Sequence, residues 1–450
     1  MAWNVVIAGG GFGGLHAAKR LARVLPHHST RITLVNDTNF LTYTPLLPGA
    51  AAGTLEPRHV VVPLREALPG AVDLLLAKVT GATPDERVVH VETVGGERKH
   101  LRYDQLIVAL GSVSRTLPIP GLAEHAVGLK SLPEAIALRN RVLRNLELAE
   151  ATEDPVERRA ALTFVFVGAG YAGLEGLAEL QDFASDVLDL YPRARVHGMR
   201  WILVEARDRV MPEVPASLAE FASRELMARG IELRTSTTLE EVTERTARLS
   251  DGEIVPTRTV VWTAGVKPHP VVAELGLPLA EGGRIAVDST LAVRDRPGVW
   301  ALGDAAAVPD PAAKGERATP PTAQHAIRQG RVAAQNVAAA LGTGRPTHFR
   351  YKTRGVVVDM GQRKAVAQTM GVKWRGAPAW FLARTYHLSM MPGLGRRFRL
   401  LADWNVGLLF GRDTAELGQL GHVPRLDHGE HGAAPVASRP TGEVTRADEA

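Results

Sequence analysis

Two stretches of this chain repeat one arrangement, and that repetition limits the folds open to it more than any other feature. Val5 to Ile7 is a short apolar run, followed by Gly9-Gly10-Gly11-Phe12-Gly13-Gly14 and a helix-like run from Leu15 to Leu25. Phe164 to Val167 is a second apolar run, followed by Gly168-Ala169-Gly170-Tyr171-Ala172-Gly173 and a helix-like run from Leu174 to Leu190. Each unit then reaches another apolar strand, Ile32 to Val35 in the first and Trp201 to Val204 in the second. Strand, glycine turn, helix, strand is the βαβ pattern of a parallel, doubly wound sheet. The expected fold is therefore α/β, with two Rossmann-like dinucleotide-binding domains.

Each glycine motif has a physical task. The first glycine permits the tight turn after the strand, the second lets a pyrophosphate approach the backbone, and the third lets helix and strand pack closely. The helix N-terminus offers unpaired N–H groups and the positive end of its dipole to the phosphates. These positions are Gly9, Gly11 and Gly14 in the first unit, and Gly168, Gly170 and Gly173 in the second. An acid should follow at the end of the next strand to accept ribose hydroxyls. Glu205 fits in the second unit and favours NADH, although Arg207 and Arg209 nearby keep NADPH open. In the first unit the position is Asn36, with Asp37 beside it, and either can accept from a ribose. Two such sites in one chain suggest two nucleotides, a flavin and a nicotinamide, with a hydride passing between them.

The remaining strands fit this plan. Leu106 to Leu110 and Val260 to Thr263 end in glycine turns at Gly111 and Gly265, and Val299 to Leu302 ends at Gly303-Asp304. Asp304 at a strand's carboxyl end points into the ligand crevice and can accept from a sugar-alcohol chain such as ribityl. Pro320-Pro321-Thr322-Ala323-Gln324-His325 then opens an Ala-rich helix reaching about Leu341, whose N-terminus can face the flavin pyrimidine edge. Gln324 can bond the ring or an acceptor carbonyl, whereas His325 reads as a packing residue. Crossovers near Thr116 to Leu122 and Gly282 to Val287 give a discontinuous FAD-binding domain (1–121 and 282–370) with an NADH-binding domain (122–281) inserted.

The 450 residues contain no cysteine. That removes thiolate nucleophiles, redox pairs, disulfides and ordinary iron–sulfur clusters, so redox chemistry must rest on a bound organic cofactor. No dense His/carboxylate cluster calls for a metal. The net charge of +5 is too small for a nucleic-acid binder. Neither a signal segment nor a run of spanning length is read from the sequence, so a cytoplasmic protein is expected. Lys373 to Arg412 nevertheless carries seven Lys or Arg against the single Asp403, with seven aromatics. At helical spacing Phe398, Leu401, Trp404, Leu408 and Leu409 share an arc, with Arg396, Arg399 and Asp403 opposite. A basic amphipathic helix of this kind suits an anionic membrane interface, with a core helix or dimer interface as the rival. Residues 371–424 are read as this membrane-association region, and 425–450 as a polar, disordered tail.

Over about Asn4 to Gly411 the chain resembles the type II, non-proton-pumping NADH:quinone oxidoreductases of the two-dinucleotide-binding flavoproteins. The resemblance rests on Asn39-Phe40-Leu41 with Pro45-Leu46-Leu47 and Ala51-Ala52-Gly53, and on Gly168-Ala169-Gly170-Tyr171-Ala172-Gly173-Leu174-Glu175. It also rests on Val261-Trp262-Thr263-Ala264-Gly265-Val266 and on Ala323-Gln324-His325-Ala326-Ile327-Arg328-Gln329-Gly330. It implies FAD at Gly9, Gly11, Gly14 and Asp304, and NADH at Gly168, Gly170, Gly173 and Glu205. Phe12, Gly111, Gly303 and Ala323 belong to the same flavin surroundings, and Gly265 to those of the nicotinamide. Glu175 would lie between nicotinamide and quinone, positioning substrates or relaying protons, and Gln324 would line the quinone pocket. Asn36 departs from the family's ribose acid, and Ala109-Leu110-Gly111 lacks its usual Thr. Disulfide reductases and sulfide:quinone oxidoreductases share the architecture but act through cysteine sulfur, which this chain lacks. The implied activity is transfer of two electrons from NADH through FAD to a membrane quinone, at the inner face of the cell membrane, with room for a homodimer. The alternatives are a soluble NAD(P)H-dependent flavoprotein reductase of another acceptor and a membrane-bound flavin/NADH redox sensor.

Overall fold

A computed structural model describes residues 2–416 apart from 314, 316 and 354. The tail read at 425–450 lies outside the described residues. Strand β1 (Trp3–Ala8), helix α1 (Phe12–Val24) and strand β2 (Thr30–Asn36) form the first βαβ unit. β3 (Val72–Thr83), β4 (Val88–Thr93), β5 (Arg98–Arg102) and β6 (Gln105–Val108) extend it. β1 pairs in parallel with β2 on one side and β6 on the other, which places the glycine turn after β1 at the point where strand order reverses. All four residues of β6 and the last four of β1 are buried, as expected of a parallel strand covered on both faces.

The second unit begins with β7 (Ala126–Val127) and helix α2 (Leu132–Ala151). It continues through β8 (Thr163–Val167), α3 (Tyr171–Val187), β9 (Arg200–Val204), α4 (Ala216–Ala228), β10 (Ile231–Arg234) and β11 (Thr259–Trp262). Its sheet has the order β7-β11-β8-β9-β10, parallel throughout. The chain then returns to the first sheet. β12 (Val299–Ala301) pairs in parallel with β6, giving the order β12-β6-β1-β2-β3-β4-β5. The fold is thus α/β with two doubly wound sheets, the first built from two separated stretches of chain. Both glycine-motif helices begin three residues earlier than the sequence pattern suggests, because the third glycine of each motif lies inside the first helical turn.

Helix α5 (Ala323–Ala340) lies along α1. The two backbones meet at glycine: a Cβ on Gly330 would stand 2.2 Å from the carbonyl oxygen of Gly13. Beyond α5, β13 (Gly355–Asp359), β14 (Ala365–Thr369) and β15 (Val372–Arg375) form an antiparallel sheet of their own. This sheet packs on α3 and α4, so residues 355–370 cover helices of the second unit, whereas the sequence reading groups them with the first. Two helices follow, α6 (Gly376–Met390) and α7 (Leu394–Phe410). α7 is seated on the first unit, where Leu400 and Trp404 join the core that contains β1 and β6.

The α1–α5 crossing predicts a contrast between two glycines. Gly330→Ala places a methyl against backbone, and overpacking of this kind costs about 1–3 kcal/mol. Gly407→Ala, in α7 with open space around its Cβ position, should be neutral or stabilising by up to about 1 kcal/mol. Chemical denaturation of both variants against the parent checks the difference.

Candidate active site

The carboxyl ends of β1, β6 and β12 open on a cleft of about 670 Å³. Gly9 has φ +107°, and a Cβ there would meet the Ala109 carbonyl oxygen at 2.4 Å. A Cβ on Gly14 would stand 1.8 Å from the carbonyl oxygen of Gly9, whereas one on Gly11 would meet nothing within 4 Å. The second motif repeats this geometry. Gly168 has φ +102° and faces Ala264 N at 2.8 Å, Gly173 faces Gly168 O at 1.9 Å, and Gly170 is open. In each unit two glycines are enforced by backbone contact, and the middle one leaves free space before a helix N-terminus. That is a cradle shaped for a pyrophosphate, so the residues present fit a dinucleotide in both units.

Gly9, Gly11, Phe12, Asn36, Asp37, Gly111, Gly303, Asp304 and Ala323 all line the first cleft, and Gly14 acts behind it in packing. Asn36 Oδ1 accepts from Gly10 N at 2.7 Å, and its amide donates to Thr38 O at 2.8 Å. Glu205 holds the matching place in the second unit, accepting from Ala169 N at 2.7 Å and from Arg207 N at 3.0 Å. The structure therefore brings Gly168, Gly170, Gly173, Glu205 and Gly265 together at the ends of β8, β9 and β11. Arg209 is committed elsewhere, donating to the carbonyl oxygen of Val214 at 3.2 Å. Asp304 accepts from the Ser112 hydroxyl at 2.6 Å and has Lys130 Nζ at 3.6 Å. Lys130 reaches the first cleft from the second unit, just ahead of α2. Sequence reasoning missed both partners, because the contact joins residues whose motifs carry no shared spacing.

Glu175 lies apart from the cleft, on α3, in a small cavity of about 40 Å³. Glu179, Asp359, Arg384 and His387 line the same cavity, with the segment from Pro45 to Leu55 opposite. Glu175 Oε1 accepts from the backbone N of Asp359 at 2.9 Å. Burial pushes the Glu175 carboxyl well above the usual range, and the neighbouring Asp359 and Glu179 charges push the same way. Burial, then Glu179, raises Asp359 to about 7. Burial holds the His387 imidazole down to about 4, so it is neutral. Rings connect cavity and cleft: Phe12 meets Tyr43 edge-to-face at 5.6 Å, and Tyr43 meets His387 at 6.0 Å. Gln324 is among the lining residues of neither space. Its Oε1 accepts from the Tyr351 hydroxyl at 2.6 Å. His325 is buried, with Nδ1 2.7 Å from the Thr322 hydroxyl, as suits a packing residue. The carboxylates at 175, 179 and 182 follow helical spacing on one face of α3, a signal in the sequence that the analysis above did not use.

The C-terminal region departs from the expected amphipathic pattern. Trp404 turns inward, while Phe398 (71% exposed), Leu409 (75%) and Phe410 (82%) face out. The basic groups mostly turn toward the protein. Arg396 donates to Arg58 O at 3.1 Å, Arg397 to Met391 O at 2.9 Å, and Arg384 lies over the Trp380 and Trp404 rings at 4.2 and 4.7 Å. Arg412 pairs with Asp182 at 2.7 Å, and Arg399 stays exposed. The outer face is thus apolar rather than basic, because the cations satisfy carbonyls and carboxylates that the helices would otherwise bury. Among the described residues, no helix is long and apolar enough to cross a membrane.

Residues 3–330 match the family model described as "Pyridine nucleotide-disulphide oxidoreductase". A Dictyostelium discoideum protein named "Probable NADH dehydrogenase" is 30% identical, covering 92% of this chain and 91% of its own. A Mycobacterium tuberculosis protein named "Type II NADH:quinone oxidoreductase Ndh" is 31% identical over 91% of this chain and 89% of its own. The chain belongs to the type II NADH:quinone oxidoreductases. The solved structure of NDH2 from Plasmodium falciparum in complex with NADH shares the fold, with a TM-score of 0.85 at 18% identity. That alignment covers 92% of this chain and all of the other.

The raised carboxyl of Asp359 makes a stability prediction. The folded protein retains a proton that the unfolded chain releases between about pH 4 and 7, so this group's contribution to stability falls as pH rises through that window. Asp359→Asn removes the effect. Its melting temperature relative to the parent should rise from pH 5 to pH 8, as measured by calorimetry.

Proposed function

We propose that the chain is an FAD-dependent NADH dehydrogenase that passes two electrons to a membrane quinone without proton pumping. The observation that carries this reading is the pair of dinucleotide cradles in a single cysteine-free chain, with a buried carboxyl cavity beside them. FAD, when bound, supplies the two-electron chemistry between the substrates. The chain's own residues bind and orient. The open space at Gly11 and the N-terminus of α1 would hold the FAD pyrophosphate, and Asp304, fixed by Ser112, would accept from the ribityl chain. Asn36 or Asp37 would meet the FAD ribose. Gly170 and the N-terminus of α3 would hold the NADH pyrophosphate, with Glu205 accepting from the adenosine ribose. Glu175 and Asp359 would hold protons on their carboxyl oxygens near neutral pH and release them toward a quinone oxygen. The quinone path runs past Pro45 to Leu55 and His387, and Gln324 stands at the start of α5 on the flavin side.

The membrane surface is the source of the quinone in this reading, met by the exposed apolar face of α7 with Phe381 of α6. Insertion of these side chains provides the main attraction; Arg396 and Arg412 are already ion-paired, and the exposed Lys373, Arg375 and Arg399 add a smaller electrostatic part. The cytoplasmic face of the cell membrane is the proposed location.

The decisive experiment mixes purified holoenzyme anaerobically with NADH and then adds a soluble quinone. The flavin absorbance should bleach and then recover; a colourless protein that takes up no flavin overturns the reading. NADPH should be the poorer donor by roughly a hundredfold in kcat/KM, since a like-charge contact between its phosphate and Glu205 costs a few kcal/mol. Phe398→Ser combined with Leu409→Ser should weaken binding to phospholipid vesicles by at least about a hundredfold, each buried side chain being worth about 1.5–3 kcal/mol. Added salt should weaken that binding less than the double substitution does, and vesicle co-sedimentation measures both effects.

A further inference from the structure

After α7 the chain does not leave the protein. Arg412 returns to α3, where its guanidinium lies 2.7 Å from Asp182, 3.9 Å from Glu179 and 3.5 Å from Asp186. Its side chain is only 10% exposed. The next residues continue as a strap across α2: Arg139 donates to Asp413 O at 2.6 Å and Arg144 to Glu416 at 2.5 Å. The helix with the exposed apolar face is therefore fastened at its far end to α3, the helix that carries Glu175.

Glu179 joins the two regions. It faces Arg412 on one side and lines the small cavity with Glu175 and Asp359 on the other, where Thr54 donates to it at 3.2 Å. The cation on the cavity wall itself is Arg384, from α6. Arg229, just after α4, donates to Gln181 at 2.9 Å and to Ala178 O at 2.7 Å, and its charge also acts on Asp182, Glu179 and Asp359. Asp186 stands on the outer side of Arg412, and Arg363 follows β13 near Asp182's partner Gln362. His387 is neutral and adds no charge. Without Arg412, which is the only one of these cations in an ion pair with Asp182 among the described residues, Glu179 and Asp182 face each other with Arg384 and Arg229 left to compensate them.

We propose that Arg412 is a positioning residue that makes the buried acid cluster depend on the seating of the C-terminal helix. With α7 docked, the guanidinium compensates the α3 carboxylates and fixes their side chains. When α7 lifts, the strap withdraws the cation and the cluster retains protons to higher pH. Contact with the membrane and readiness for quinone reduction are then joined through one side chain. The inference rests on the reading of the small cavity as the quinone path.

The test compares the pH profile of quinone reduction in the holoenzyme with those of Arg412→Gln and Arg412→Lys. An opposite charge within about 4–6 Å shifts a carboxyl by about one pH unit or more. The alkaline limb of kcat should therefore move up by about one unit in Arg412→Gln. It should move less, in the same direction, in Arg412→Lys, because a single ammonium cannot reach all three carboxylates. Arg412→Lys keeps the charge and carries the test if Arg412→Gln does not fold. The anaerobic rate of flavin bleaching by NADH should be unchanged in both. An alkaline limb that stays in place in the folded variants, or a bleaching rate that changes in parallel with it, overturns the proposal. Glu175→Gln separates the two readings. If it leaves the limb intact, the cavity assignment fails; if it abolishes the limb while Arg412 variants leave it in place, only the link to the C-terminal helix fails.

Discussion

The approach of backbone to backbone at glycine is the constraint on which the rest of this structure depends. In each nucleotide unit the third glycine of the motif lies against the carbonyl of the first, closer than any side chain would allow. That contact seats the helix on its strand and aims the helix N-terminus at open space. The α1–α5 crossing uses the same device, and it brings Ala323 to the cleft formed by Gly9, Gly11 and Asp304. Both cradles are therefore preformed by covalent geometry rather than by a side chain that must choose a rotamer. A dinucleotide meets an organised surface, and little ordering cost is left for binding.

Charge is arranged on a different principle. The acids of α3 and β13 sit where water is scarce, and burial dominates their ionisation. Arginines from three separate elements compensate them only partly. Such a cluster is a poor source of stability, since desolvation offsets the attraction between its members. Its value lies in keeping carboxyl groups protonated near neutrality. A protein built only for stability would have filled this space with leucine.

Much of this was legible in the sequence because it is local. Gly9 to Gly14 and Gly168 to Gly173 declare their turns within six residues, and Glu205 and Asp304 follow from strand ends. The failures are non-local. Lys130 meets Asp304 across two units, and no spacing announces the contact. The basic residues of the C-terminal segment suggested an outward-facing charged surface. In the structure Arg384, Arg396, Arg397 and Arg412 turn inward, because helical periodicity gives a face but not what lies beneath it. The partner of Gln324 is equally non-local: its side-chain oxygen accepts from Tyr351, a residue no motif singles out. The acidic row on α3 is periodic and visible, but its partner Arg412 stands 230 residues beyond Asp182 along the chain.

One consequence of the discontinuous first sheet concerns the nascent chain. Strand β6 is finished early in synthesis, but its outer neighbour, Val299–Ala301, emerges only after the whole second unit. At ribosomal speed that interval is on the order of tens of seconds. During it, a strand edge apolar in three of its four residues has no partner and offers its free N–H and C=O groups to any other extended chain. The inserted unit, able to close its own five-stranded sheet in the meantime, is therefore a delay built into the gene order. Until β12 arrives, the topology alone leaves that edge open to wrong pairing.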